Sequence, residues 1–320
     1  MKTRTKNNTL AEIAKFLKTL DRVAVTTHVG SDGDAIGASA ALVRLMRLLG
    51  ATAVFCHAEG APEYLGWLLP DEPLRELPPD HDLLVVDTSR ADRTGVPVPE
   101  AGARLNIDHH EDNPLYTEYN LVDPRAAATA EIVADLYAEL DIPIDRPTAE
   151  ALYVGIRTDT GGFNFRNISP RAHELVADLL RAGVVPAEVN DRINRRGSVE
   201  QLRIVGVSLA NAVRYGEALI STVENSDYER TGATELDSKE SIDQLRTVAG
   251  VDVVAHLREV PQGTKGSLRS ETVDVGEIAR RFGGGGHRLA AGYTTPRRPD
   301  EAREELLGIL EGVLDLGGGR

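Results

Sequence analysis

The chain has 320 residues, 41% of them hydrophobic, with 50 acids against 36 bases for a net charge of −14. That length exceeds the roughly 250–300 residues at which one core stops growing, so two domains are expected. The acidic balance excludes a broad basic face gripping long DNA or RNA, while a short anionic substrate held by a few local bases stays open.

In chain order, the charged start "MKTRTKNNTLAEIAKFL" lacks the apolar run of a signal peptide, and nothing later approaches a membrane span of roughly 18–20 apolar residues. A cytoplasmic protein is expected. "TLAEIAKFLKTL" places Leu10, Ile13, Leu17 and Leu20 at helical spacing, with Thr9 and Glu12 as a capping box. The runs "RVAVTTH", "ATAVFCH", "DLLVVDT" and "ARLNIDHH" read as strands, and "IGASAALVRLMRLLG" between the first two reads as a helix closed by Gly50. This order predicts βαβ units and a parallel sheet with helices on both faces. "TAEIVADLYAEL" and "TAEALYVGIRTD" continue as helical or mixed segments, and no repeat of fixed period occurs. "PAEVNDRINRRGSVEQLRIVGVSLANAVRYG" reads as a Pro-opened turn and a long bridging helix. We therefore expect a first α/β domain over 1–185, a linker helix over 186–210 and a smaller α/β domain over 211–320. In the last, "EALISTV" and "VDVVAHLREV" are strand signals and "VGEIARRF" a helix; the tail "LGGGR" carries no signal.

Ligands of a parallel α/β sheet bind beyond the carboxyl ends of its strands, which is where this sequence puts its acids. "VAVTTH" ends in His28 and leads to Asp32 and Asp34; "LLVVD" ends in Asp87; "RLNID" ends in Asp108, followed by His109 and His110; "GIRTD" delivers Asp159. Singly, each has a plainer reading: Asp32 and Asp34 as turn and helix N-terminal acids, the two histidines as a solvated strand end. Asp87 is harder to dismiss, since an acid after four apolar residues needs a partner when buried. Jointly, carboxylates converging from several segments, with no Lys or Arg beside Asp32 and Asp34, would repel one another unless cations balanced them. Two divalent ions are expected, held by His, Asp or Glu because Cys56 is the lone cysteine. The mixed carboxylate and imidazole donors favour Mn²⁺, with Mg²⁺ or Co²⁺ as alternatives. Gly30, Gly33 and Gly37 are expected to let the backbone approach ions and ligand.

"HVGSDGDAIGAS", "VVDTS", "NIDHHEDN" and "GIRTDTGGF" resemble the four successive motifs of the DHH phosphoesterases, and "GGGGHRLAAG" resembles the glycine-rich motif of their C-terminal DHHA1 domain. Five motifs in the family's order cover nearly the whole chain, and the layout is most similar to the nanoRNase and pAp phosphatase branch. Ser31 stands where that pattern often has proline, and Ala38 where it has glycine. The resemblance implies that His28 and Asp32 hold one metal, that Asp34, His109 and Asp159 hold the other, that Asp87 bridges them and that His110 faces the scissile phosphate. Two such ions activate a bridging water and clamp the oxygens of an in-line displacement. Asp108 is assigned to the catalytic set or, alternatively, to orienting a ligand histidine.

The second domain is expected to choose the substrate. Arg269 can take a phosphate bidentately, and Gly284, Gly285 and Gly286 before His287 can offer backbone N–H groups as an anion nest; the plainer reading of the glycines is a flexible linker. Arg195 and Arg196 are either a solvated helix end or phosphate contacts. The function expected is hydrolysis of short RNA or DNA oligonucleotides, including linear dinucleotides, to mononucleotides, and of pAp to AMP. No stable complex with long nucleic acid and no membrane partner is expected, and a homodimer is compatible with the sequence. The alternatives on the same metal core are a single-strand exonuclease, a cyclic dinucleotide phosphodiesterase and an inorganic pyrophosphatase. A long-strand nuclease needs a stacking, basic channel that 4% aromatic content does not supply. The pyrophosphatase would show consecutive bases resembling "SRKKQ", absent here, and the membrane-bound phosphodiesterase would show spans. The non-enzyme alternative, a nucleotide-binding regulator, would have lost a ligand position, and all are filled.

Overall fold

The computed structural model describes residues 6–99, 103–194 and 197–314, and the chain divides into two compact units, Met1–Arg195 and Arg196–Arg320. The first unit opens with α1 (Leu10–Leu17), whose Thr9 and Glu12 form both arms of the capping box. It continues through β1 (Arg22–Thr26), α2 (Gly33–Leu48), β2 (Thr52–Phe55), β3 (Asp82–Val86), β4 (Leu105–Asp108) and β5 (Tyr119–Val122). Four helices follow: α3 (Thr129–Glu139), α4 (Arg146–Asp159), α5 (Pro170–Arg181) and α6 (Pro186–Asn194). The sheet is wholly parallel, in the order β2-β1-β3-β4-β5, and β1 stands where the strand order reverses. An open parallel α/β sheet binds its ligands at such a point.

Period-two alternation sorts the strands' side chains between the faces. Val23, Val25, Leu84, Val86, Leu105 and Ile107 join one core with the apolar sides of α1 to α6. Ala24, Leu83 and Val85 face the other way, onto Cys56, Val96, Ala103 and Tyr116, none of which lies in an α-helix. The expectation of helices on both faces is thus corrected for this unit. Among the described residues the β2-to-β3 and β3-to-β4 connections carry 3₁₀ turns, Gly66–Leu68 and Ala91–Arg93, and no α-helix; Leu65 and Leu68 at the first turn pack with the helices, while Cys56, Leu77, Val96 and Ala103 from the rest of these connections cover the second face.

α2 packs closely against α4, and the contact changes the reading of the glycines. A Cβ on Gly37 would lie 2.3 Å from the Ala151 carbonyl oxygen, and one on Gly33 would lie 2.4 Å from Thr158 Oγ1. These two residues therefore serve helix-to-helix contact, while Gly30, at φ +69° with open space around it, serves the turn. Gly37→Ala is expected to destabilise the protein by about 1–3 kcal/mol through overpacking, although alanine is favoured over glycine within a helix by about 1 kcal/mol. Denaturant unfolding checks this; an alanine variant as stable as wild type would contradict the close approach.

The segment expected as one long linker helix is two helices, because Ser198 caps a new start: its side chain accepts from Gln201 N, opening α7 (Val199–Ala210). Arg195 and Arg196 lie outside the described residues, as does the tail "LGGGR". The second unit adds β6 (Val213–Tyr215), β7 (Ala218–Val223), α8 (Asn225–Thr231), α9 (Ser241–Leu245), β8 (Val253–Val260) and β9 (Gly263–Ser270). It ends with α10 (Val275–Arg281), β10 (Gly285–His287), β11 (Ala290–Thr295) and α11 (Pro299–Leu310). Its mixed sheet runs β10-β11-β9-β8-β7-β6, with β7 and β8 parallel and the other pairs antiparallel. One face packs on α10 and α11, and α9 covers part of the other.

Candidate metal centre

The expected residues of the first unit meet at the carboxyl end of its sheet. β1 runs out into His28, and the next turn delivers Asp32, whose side chain caps α2 by accepting from Asp34 N and Ala35 N at 3.1 Å. Asp34 is fully buried in the first turn of that helix. Asp87 follows β3 at φ +52°, a left-handed conformation that aspartate tolerates better than most residues but that still costs about 1 kcal/mol or more. Asp108 ends β4 and Asp159 ends α4.

Three sets of donor atoms each lie within 4.8 Å of one another: His28, Asp32 and Asp87; Asp34, His109 and Asp159; and Asp87, His109 and His110. The two oxygens of Asp87 divide between the first and third sets, Oδ2 standing 3.7 Å from His28 Nε2 and Oδ1 3.8 Å from His109 Nε2. His109 Nε2 is 3.3 Å from Asp159 Oδ2, while its Nδ1 donates to the Ala126 carbonyl at 3.2 Å. His28 is held likewise, with Nδ1 on the Val29 carbonyl. A backbone bond on Nδ1 leaves Nε2 as the nitrogen turned to the carboxylates.

Asp108 joins none of these sets. Its Oδ1 accepts from His110 Nδ1 at 2.6 Å and from His109 N at 2.9 Å, and its Oδ2 accepts from Asn113. It stands behind the histidines, and the histidine side chain it orients is His110. Sequence reading passed over several further supports. His57 and Ser31 both donate to the His28 carbonyl, Asn167 ties the Asp159 carbonyl to that of Ala127, and Thr129 donates to Asp87. Ser31 reaches back only three residues, but His57, Thr129 and, through Ala127, Asn167 act on partners distant in sequence, which no local pattern announces.

The electrostatics show what the site lacks. Among the described residues the only ion-pair partners of these carboxylates are histidines. Burial, then repulsion from Asp87, Asp159 and Asp32, drives the Asp34 carboxyl well above the usual range. Burial likewise lifts Asp159 to about 6, against the pull of His109. Asp87 is the exception: burial opposes its ionisation, yet the imidazoles of His28, His109 and His110 hold it below the ordinary value. The bond to Asp108 raises His110 to about 9. Crowded acids partly forced to keep their protons, beside imidazoles offering Nε2, form a donor set suited to divalent cations.

In the second unit, Arg269 and His287 both oppose Ala290, on β9 and β10 respectively, so the two side chains share one face of the sheet. It is the face away from Leu268, α10 and α11. Arg269 Nη1 donates to the Leu268 carbonyl, and His287 is exposed. The glycine run is neither a linker nor an open nest. Gly283 N donates to Arg280 O and Gly284 N to Ala279 O, a Schellman cap that ends α10, while Gly285 and Gly286 pair with β11. The nest fails at Gly284, whose N–H is already used. Glycine is required there by a different contact, since a Cβ would meet Gly292 O at 2.3 Å.

A parallel sheet ending in this histidine and carboxylate cluster, followed by a mixed-sheet unit, is the architecture of a DHH phosphoesterase. The chain belongs to the DHH family: residues 22–156 match the DHH family N-terminal domain and residues 216–315 the DHHA1 domain, and the protein is a metal-dependent phosphoesterase. It is similar to the bifunctional oligoribonuclease and PAP phosphatase NrnA of Thermus thermophilus, 36% identical over 314 residues that cover 96% of this chain and 94% of the relative. The protein of the same name from Bacillus subtilis is 25% identical over 88% of this chain and 91% of its own. In fold, the chain resembles an exopolyphosphatase-related protein from Bacteroides fragilis, with a TM-score of 0.82, 23% identity and 95% of each chain covered. No helix among the described residues is long and apolar enough to cross a membrane.

Proposed function

We propose that this enzyme hydrolyses short oligonucleotides, linear dinucleotides among them, to mononucleotides and removes the 3′-phosphate of pAp. The observation that carries this reading is near-full-length similarity to a relative named for those two activities, in a chain where the four carboxylates and two histidines of the proposed metal set converge. His28 and Asp32 would hold one ion, Asp34, His109 and Asp159 the other, and Asp87 both; the donors favour Mn²⁺, with Mg²⁺ or Co²⁺ as substitutes. When bound, such a pair supplies an activated water and neutralises charge on the phosphoryl group. The chain's own part is to fix the donors and to present His110. Because the Asp108 carboxylate can only accept, the bond between them places the His110 proton on Nδ1 and leaves Nε2 toward the substrate phosphate. A cytoplasmic enzyme fits the lone cysteine, Cys56, a buried free thiol.

The second unit is proposed to bind substrate through Arg269 and His287. Arg269→Ala and His287→Ala are expected to keep full metal content and lose about ten- to a hundred-fold in kcat/KM on short oligonucleotides, the worth of one charge-assisted contact. Assay of the purified protein with Mn²⁺ against pAp, pApA, pGpG, a 5-mer, a 24-mer and pyrophosphate tests the whole reading. Dinucleotides and pAp should turn over faster than the 24-mer. Rapid degradation of the 24-mer, unaffected by either alanine, would replace this proposal with the single-strand exonuclease.

A further inference from the structure

The start of α3 makes three buried hydrogen bonds into the carboxylate cluster. Thr129 N donates to Asp34 Oδ2 at 2.6 Å and Ala130 N to Asp34 Oδ1 at 2.9 Å, while Thr129 Oγ1 donates to Asp87 Oδ1 at 2.8 Å. The N-cap of this helix is Ala128, which has no capping side chain, so the free N–H groups of the first turn are met by a carboxylate from α2. As the first helical residue, Thr129 has no intrahelical carbonyl one turn back to take its hydroxyl proton, and Asp87 accepts it instead. Among the described residues, no other residue outside the proposed ligands hydrogen-bonds the side chains of two of them.

Asp34 and Asp87 belong to different halves of the cluster. Asp34 stands with His109 and Asp159, whereas Asp87 reaches His28 and Asp32 on one side and His109 on the other. We infer that Thr129 is a positioning residue that locks the two halves of the metal centre together, its hydroxyl fixing the rotation of the Asp87 carboxylate so that one oxygen faces each half. Without the hydroxyl, the Asp87 carboxylate can turn about its terminal torsion, which is broad and roughly two-fold for aspartate. The backbone bonds to Asp34 survive any substitution short of proline, so a side-chain change isolates the hydroxyl.

This inference rests on the metal assignment above, and the test separates the two. Metal-stripped wild type, Thr129→Ser and Thr129→Ala are titrated with Mn²⁺ by calorimetry and then assayed on pApA. The alanine variant is expected to lose about 10–100-fold in Mn²⁺ affinity and in kcat, the usual effect of removing a residue that orients a ligand. Its KM should stay within about threefold of wild type, and serine should restore most of the loss. Alanine and serine variants alike in affinity and kcat overturn the inference. Should the alanine variant not fold, Thr129→Val, which keeps the volume without the hydroxyl, takes its place, and wild-type affinity and turnover in it would equally overturn the inference. Stripped wild type that takes up no Mn²⁺ would overturn the metal assignment itself.

Discussion

Asp87→Asn is expected to lower turnover by at least about a hundred-fold and to weaken metal binding at both halves of the centre together. Among the described residues Asp87 is the one carboxylate whose two oxygens face different histidines, and the imidazoles around it hold it ionised although it is only 3% exposed. An amide keeps the shape but offers one acceptor oxygen and no charge, so it cannot balance two cations at once. The fold should survive, since a neutral group in a buried site avoids the cost of desolvating a charge. Metal analysis, a thermal melt and steady-state kinetics on pApA together decide the matter. An asparagine variant that keeps two bound ions and near-normal kcat would remove Asp87 from the centre of the mechanism.

His110→Ala is expected to lower kcat by roughly 10²–10⁴-fold while leaving metal content unchanged, the range typical for loss of a positioned acid or base. The imidazole is part of one donor set, but its Nδ1 is already bound to Asp108 at 2.6 Å, and it is raised to about 9, chiefly by that bond. A group that holds its proton through neutral pH is a poor metal donor and a good partner for a phosphate oxygen. Loss of an ion along with activity would show that His110 is a ligand. Retention of wild-type turnover would show that it does not touch the reaction.

Much of the centre is legible in the sequence because its side chains follow strand ends. An apolar run ending in an acid or a histidine puts that group at the edge where ligands of a parallel sheet bind, and His28, Asp87, Asp108 and His109 all announce themselves in this way. The capping box of α1 is equally local, since Thr9 and Glu12 need only one turn of helix to find each other. β5 escapes notice because "TEYNLV" is short and carries polar Asn120 at a buried position, where the side chain pairs with Thr117 and its backbone N–H with Asn8, a residue remote in sequence. The single linker helix is misread because a helical pattern continues across a stretch where Ser198 starts a new cap.

By itself the sequence determined the chemistry: carboxylates and imidazoles without cationic partners, a parallel sheet to gather them, and a second unit bearing Arg269 and His287. What the tertiary structure decided is which partner each group takes. Gly33 and Gly37 are glycines because α4 lies against them, Gly284 because β11 does, and Asp108 stands behind the histidines because His110 and Asn113 occupy its oxygens. Thr129 gains its place only because α3 starts where Asp34 and Asp87 end. Period and composition encode which face a residue turns to the core, since that depends on its neighbours along the chain. Contacts between segments tens of residues apart depend on how the elements pack, and no local pattern carries that information.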